Sequence, residues 1–118
     1  MDNLIHFITP DNFTDEVITE TRPILLLCMP EDDDFLSQLQ ITEVMARRHV
    51  SWLKVGLVGD AFIQYFKQKL NVVGTPTFLI FSDGKERSRL LGLADPRGLE
   101  QFVFEGMEQE AAETIHKN

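Results

Sequence analysis

The chain has 118 residues, 43% hydrophobic and 25% charged, a composition that fits one globular domain and excludes a disordered chain. Its 11 basic and 19 acidic residues give a net charge of −8, which argues against a nucleic-acid or anionic-membrane partner and leaves room for a basic one. No run approaches the ~20 apolar residues of a membrane span. Met1-Asp2-Asn3 opens no signal peptide, and the single cysteine, Cys28, forms no internal disulfide, so the cytoplasm is the expected compartment.

Residues 5–8 are a short strand candidate. Thr9-Pro10-Asp11-Asn12 then marks a helix start, because proline and small polar residues favour that position. Phe13 and Val17, four residues apart, give this helix an apolar face. After Pro23, Ile24-Leu25-Leu26-Leu27-Cys28-Met29 is a continuous apolar run, the pattern of a central parallel strand buried on both faces. Pro30 ends it. Glu31-Asp32-Asp33-Asp34 leads into a helix carrying Phe35, Leu39, Val44 and Met45 and ending near Arg47-Arg48-His49. Acids at its start and bases at its end complement the helix dipole, and Asp32 or Asp33 is the expected N-cap.

Residues 52–58 form another buried strand candidate, and Phe62, Ile63, Phe66 and Leu70 recur at helical spacing. Segments 77–81 and 85–91 flank Asp83-Gly84, a strong hairpin signal. Asp95-Pro96 starts a last helix with Leu99, Phe102, Val103 and Met107 inward, and the polar residues from Glu108 onward are expected to fray. The order β-α-β-α-β-α-β-β-α makes this an α/β protein. One domain is expected over residues 1–107, with a polar C-terminal tail over 108–118.

That order resembles the thioredoxin fold, and several short stretches agree with it. Phe7-Ile8-Thr9-Pro10-Asp11-Asn12-Phe13 resembles the family's first strand and helix entry, and Pro23-Ile24-Leu25-Leu26 the start of its central strand. Val73-Gly74-Thr75-Pro76-Thr77-Phe78 resembles the family motif in which the proline is cis. Phe81-Ser82-Asp83-Gly84-Lys85 and Gly92 resemble its hairpin and the glycine after its last strand. The resemblance implies a mixed sheet flanked by helices. It also exposes what is missing. Counted from Pro23, the family's Cys-x-x-Cys falls on Asp33-Asp34-Phe35-Leu36, and its buried aspartate on Leu27. The lysine that pairs with that aspartate, counted back from Asp60, falls on Gly56. Dithiol exchange needs a nucleophilic thiolate and a resolving thiol, so the resemblance implies a thioredoxin-like protein without dithiol-disulfide oxidoreductase activity.

Cys28 is the one candidate redox group. In an apolar strand its thiol pKa should rise, which makes it a core cysteine before a reactive one. The acidic run of residues 31–34 has three readings: helix capping, a recognition patch, or a divalent-metal site. The last lacks the glycine and distal glutamate of a calcium loop. His6, His49 and His116 are far apart in sequence and make no ligand pair, and no phosphate-binding glycine motif is present. No cofactor is expected. In the family, the backbone just before the cis-proline pairs with an extended peptide. The resemblance therefore implies a groove with Thr75 and Pro76 on one wall and Asp32, Asp33, Asp34 and Phe35 on the other, suited to a basic protein or peptide. The leading expectation is a non-catalytic binding adaptor or small chaperone. A monothiol redox protein using Cys28, with glutathione or a partner cysteine, is the alternative, and a purely structural subunit is a third.

Overall fold

Strand β2 (Ile24–Cys28) is the centre of the molecule, because all five of its side chains are buried and a strand with two apolar faces must be covered on both. The computed structural model describes the backbone of residues 4–116 and the side chains of residues 4–108. Before β2 come β1 (Ile5–Phe7) and a single π-helical turn (Thr14–Ile18). After it come α1 (Phe35–Arg48), β3 (Lys54–Val58), a 3-10 turn (Asp60–Phe62) and α2 (Ile63–Lys69). The hairpin strands β4 (Thr77–Ser82) and β5 (Lys85–Leu91) and the helix α3 (Pro96–His116) complete the chain.

The strands form one five-stranded mixed sheet in the order β1-β3-β2-β4-β5. Strand β3 runs parallel to both β1 and β2, while β4 is antiparallel to β2 and β5 to β4. The molecule is therefore a mixed α/β fold. Alternation along β2 divides its core. Leu25, Leu27 and Met29 pack with Phe35 and Met45 of α1 and with Leu99, Phe102 and Val103 of α3. Ile24, Leu26 and Cys28 pack on the other face with Phe13, Val17, Ile63 and Phe66. At the hairpin, Asp83 and Gly84 both take positive φ (53° and 75°), the backbone of a type I′ turn, which matches the twist of the flanking strands. Among the described residues no helix is long and apolar enough to cross a membrane.

Several elements differ from the sequence expectation. The first helix is reduced to the π-helical turn, because Asn12 serves a loop instead of a helix: its Oδ1 accepts from Thr9 N at 2.8 Å and its Nδ2 donates to Phe7 O at 2.9 Å. The β-branched residues that follow it also disfavour helix. Phe13 and Val17 are nonetheless buried together. Strand β3 begins at Lys54, not Trp52, because the amides of Trp52 and Leu53 both turn back to His49 O. The N-cap of α1 is Asp34, and its side chain makes no capping bond. The buried face of α1 takes Gln38 and Thr42, while Val44 is exposed. Helix α3 continues to His116, past the expected end at residue 107, and the side chains from 109 onward lie outside the described residues, as do residues 1–3.

A charged side chain is buried at the opposite end of the sheet from the acidic turn. Lys54 is 4% exposed, yet its ammonium is fully matched: Nζ donates to Glu16 O and Oε2 at 2.9 Å and to Glu20 Oε1 at 3.1 Å. This ties the π-helical turn to β3. Glu20 also accepts from the Arg22 side chain and backbone, and the Arg22 side chain is the main reason its carboxyl is held down at about 2. A carboxyl whose folded pKa lies below its ordinary 4.5 stabilises the fold above that value and loses the contribution as pH falls toward about 2. Glu20→Gln should therefore lower the urea midpoint near neutral pH, and the gap from wild type should narrow as pH falls through that window. A gap independent of pH would show that the ionised Glu20 carboxylate adds nothing.

Candidate functional site

The parallel strands β1, β2 and β3 all end at one end of the sheet, and β4 begins there, since Thr77 pairs with Cys28. The chain leaves β2 through Met29, whose amide donates to Val58 O at 3.1 Å, and Pro30 then stops the pairing. The acidic turn that follows is built from its own backbone and carboxylates. Asp32 N donates to Pro30 O at 2.9 Å, Asp32 Oδ1 accepts from Asp34 N at 3.0 Å, and Phe35 N donates to Asp32 O at 3.1 Å. Asp60 Oδ1 reaches in from the 3-10 turn and accepts from Glu31 N at 2.7 Å. Asp32 thus supports the turn as an Asx turn does. The carboxylates of Glu31, Asp33 and Asp34 make no hydrogen bond or ion pair among the described residues, and all four acidic side chains face solvent.

The second wall comes from the segment before β4. The Thr75–Pro76 peptide bond is cis, Pro76 is buried, and Pro76 O accepts from Gly92 N at 2.8 Å. Thr77 Oγ1 donates to Gly74 O at 2.6 Å, which closes the turn. Between them, the half-buried Thr75 has neither its N–H nor its C=O bonded among the described residues.

The two walls are connected by a residue that sequence reading missed. Gln38, 4% exposed, donates from Nε2 to Ala94 O and accepts from Ala94 N, both at 3.0 Å. Its amide therefore holds the first turn of α1 against the chain just after β5, two residues beyond the Gly92 that bonds Pro76. The only available signal was a glutamine three residues after Phe35, on the face of α1 that turns inward. Large apolar side chains remain exposed around this end: Leu36 (69%), Val73 (85%), Leu91 (56%) and Leu93 (59%). Leu91 sits beside Gly74, with Cδ1 3.3 Å from where a Gly74 Cβ would stand.

The sequence-chosen residues separate into three groups. Asp32, Asp33 and Asp34 with Thr75 and Pro76 lie at the same end of the sheet. Phe35 does not face Thr75 and Pro76: it is buried in the core under α1 and lines a cavity above β1, on the other side of the acidic turn. Cys28 lies inside the opposite core face, 1% exposed, and burial pushes its thiol up to about 12. The register shows which residue faces Leu27. Leu27 lies opposite Leu57, and both belong to the core face covered by α1 and α3, whereas Gly56 backs onto Ile8 and Leu26 on the other face. The residue facing Leu27 is thus Leu57, one residue after the counted Gly56, and it is equally apolar. No charged pair occupies this point.

The histidines serve structural pairs. His6 approaches Glu16 at 3.8 Å, and His49 meets Glu100 at 2.9 Å beside Trp52, while the side chain of His116 lies outside the described residues. Among the described residues no three His, Cys, Asp or Glu side chains converge as metal ligands would. Comparisons of the chain with protein-family models and with curated proteins find no match.

Cys28 provides a direct check of this geometry. A buried thiol with its pKa near 12 carries almost no thiolate at pH 8. Labelling by an aromatic disulfide reagent at that pH should be at least ~100-fold slower in the native protein than in urea. Comparable rates would place Cys28 within reach of solvent and reopen a thiol role.

Proposed function

We propose that this chain is a thioredoxin-like protein that has left dithiol chemistry and binds a protein or peptide, as an adaptor or small chaperone, through the sheet end described above. The observation that carries the reading is Thr75. Its main-chain donor and acceptor are unpaired beside the cis bond to Pro76, in the place where an extended segment would add as a strand. The strand order, the parallel β1, β3 and β2, the antiparallel hairpin and the cis proline before β4 support kinship with thioredoxins.

The surroundings of Thr75 fit binding better than catalysis. Val73, Leu91 and Leu93 offer exposed apolar surface on one side, and exposed apolar side chains grouped together mark interaction sites. The unpaired carboxylates of Asp33 and Asp34 lie on the other, where they favour a partner that brings lysine or arginine. Neither wall carries a thiol: Leu36 stands where the resolving thiol would be counted, and Cys28 is sealed in the core. A cytoplasmic location is part of the same proposal.

The test is affinity capture from an extract of the source organism, followed by affinity measurement on the captured partner. Replacing Asp32, Asp33 and Asp34 together by Asn should weaken binding by about tenfold or more and flatten its salt dependence. Unchanged affinity with unchanged salt dependence would place the interface elsewhere.

A further inference from the structure

A separate feature lies across the acidic turn from Thr75 and Pro76. Between the ends of β1 and β3, the start of α1 and the 3-10 turn there is a cavity of about 310 Å³. Phe7, Phe35, Phe62 and Leu57 form its apolar walls, and Glu31 and Asp60 supply its charge. A second cavity of about 280 Å³ adjoins it and shares Phe7, Glu31, Phe35 and Leu57, adding Leu39 and Glu43. Among the described residues, neither is lined by Thr75, Pro76, lysine or arginine.

Three features of this double recess define its ligand. The charge is of one sign: Glu31 and Glu43 have no basic partner among the described residues, and Asp60 spends one oxygen on Glu31 N. Phenyl faces beside carboxylates attract a cation through both ring quadrupole and charge. Each recess is at the small end of ligand pockets, the scale of one long side chain. Phe7, 62% exposed at the end of β1, belongs to both recesses. Two recesses sharing a wall suit two side chains on one face of an extended segment, which recur every second residue.

We infer that this double recess docks an extended basic segment of a partner protein, with an arginine or lysine side chain held among Phe7, Phe62, Glu31 and Asp60 and an apolar side chain two residues away in the adjoining recess. This goes beyond the rim reading and does not depend on it, because the residues named are different and lie on the other side of the acidic turn. The apolar stem of the basic residue covers Leu57 and Phe35, and its charged head meets the carboxylates at the mouth.

The probe is the peptide acetyl-Leu-Ser-Arg-Ser-Leu-amide, which offers an apolar residue two positions from arginine in either chain direction. It would be titrated into the isotope-labelled full chain and followed by amide NMR shifts. Shifts should concentrate at Phe7, Glu31, Asp60 and Phe62. Replacing arginine by its neutral isostere citrulline should weaken binding by about tenfold. Glu31→Gln, at an exposed side chain, and Asp60→Asn, which keeps the acceptor for Glu31 N, should each weaken binding severalfold, while Asp83→Asn, in the hairpin at the opposite end of the sheet, should not. Four results would each overturn the inference: equal binding of the citrulline peptide, shifts centred on residues 73–77, equal binding of free arginine amide, or no shifts at ~5 mM peptide. Shifts centred on 73–77 would at the same time favour the rim reading, so the two proposals fail separately.

Discussion

The side-chain amide of Gln38 is the contact on which the arrangement of the sheet end depends. Its two bonds to Ala94 join the start of α1 to the β5–α3 connection, and Gly92 in that connection bonds Pro76. The chain of contacts runs from the acidic turn to the cis proline without a gap. It is also a demanding contact. A buried amide leaves up to four polar groups to satisfy, and an unmatched buried donor or acceptor costs about 1–3 kcal/mol. An apolar residue at position 38 would pack as well but would leave Ala94 N and O without partners. The glutamine therefore fixes the position of the turn more than it adds to the core.

The second constraint is β2, whose two apolar faces demand a cover on each side. Helices α1 and α3 take one face and Phe13, Ile63 and Phe66 take the other. This two-sided burial also decides the chemistry. A charged pair beneath the turn would need a polar cavity, and Leu27 opposite Leu57 fills that place with hydrocarbon. The one thiol sits one residue further along, on the other face, where desolvation holds it in the protonated form. The site at this end of the sheet is a surface with charge, apolar side chains and free main-chain groups at Thr75.

Much of this was legible in the sequence because it rests on local patterns. The continuous run 24–29 reads as a central strand, Asp83-Gly84 as a hairpin turn, and Leu99, Phe102 and Val103 as an inward helix face; each signal lies within a few residues. What was not legible depends on distant partners. Lys54 falls inside the buried strand candidate of residues 52–58, and only Glu16 and Glu20 explain how a lysine is buried there. Gln38 reads as a surface residue until Ala94 arrives from 56 positions away. Phe35 reads with the acidic residues before it, but a helix start turns successive side chains by about 100° and sends this one inward. Strand register is illegible for a related reason. A shift of one residue in a strand reverses the face, and only the Leu27 to Leu57 register reveals it.

The most direct measurement is amide hydrogen–deuterium exchange of the full chain with and without its captured partner. Binding through the sheet end requires slowed exchange at residues 31–36 and 73–77, with Thr75 among the most protected. Protection confined to the opposite end of the sheet, around Lys54, with residues 73–77 unchanged, would contradict it.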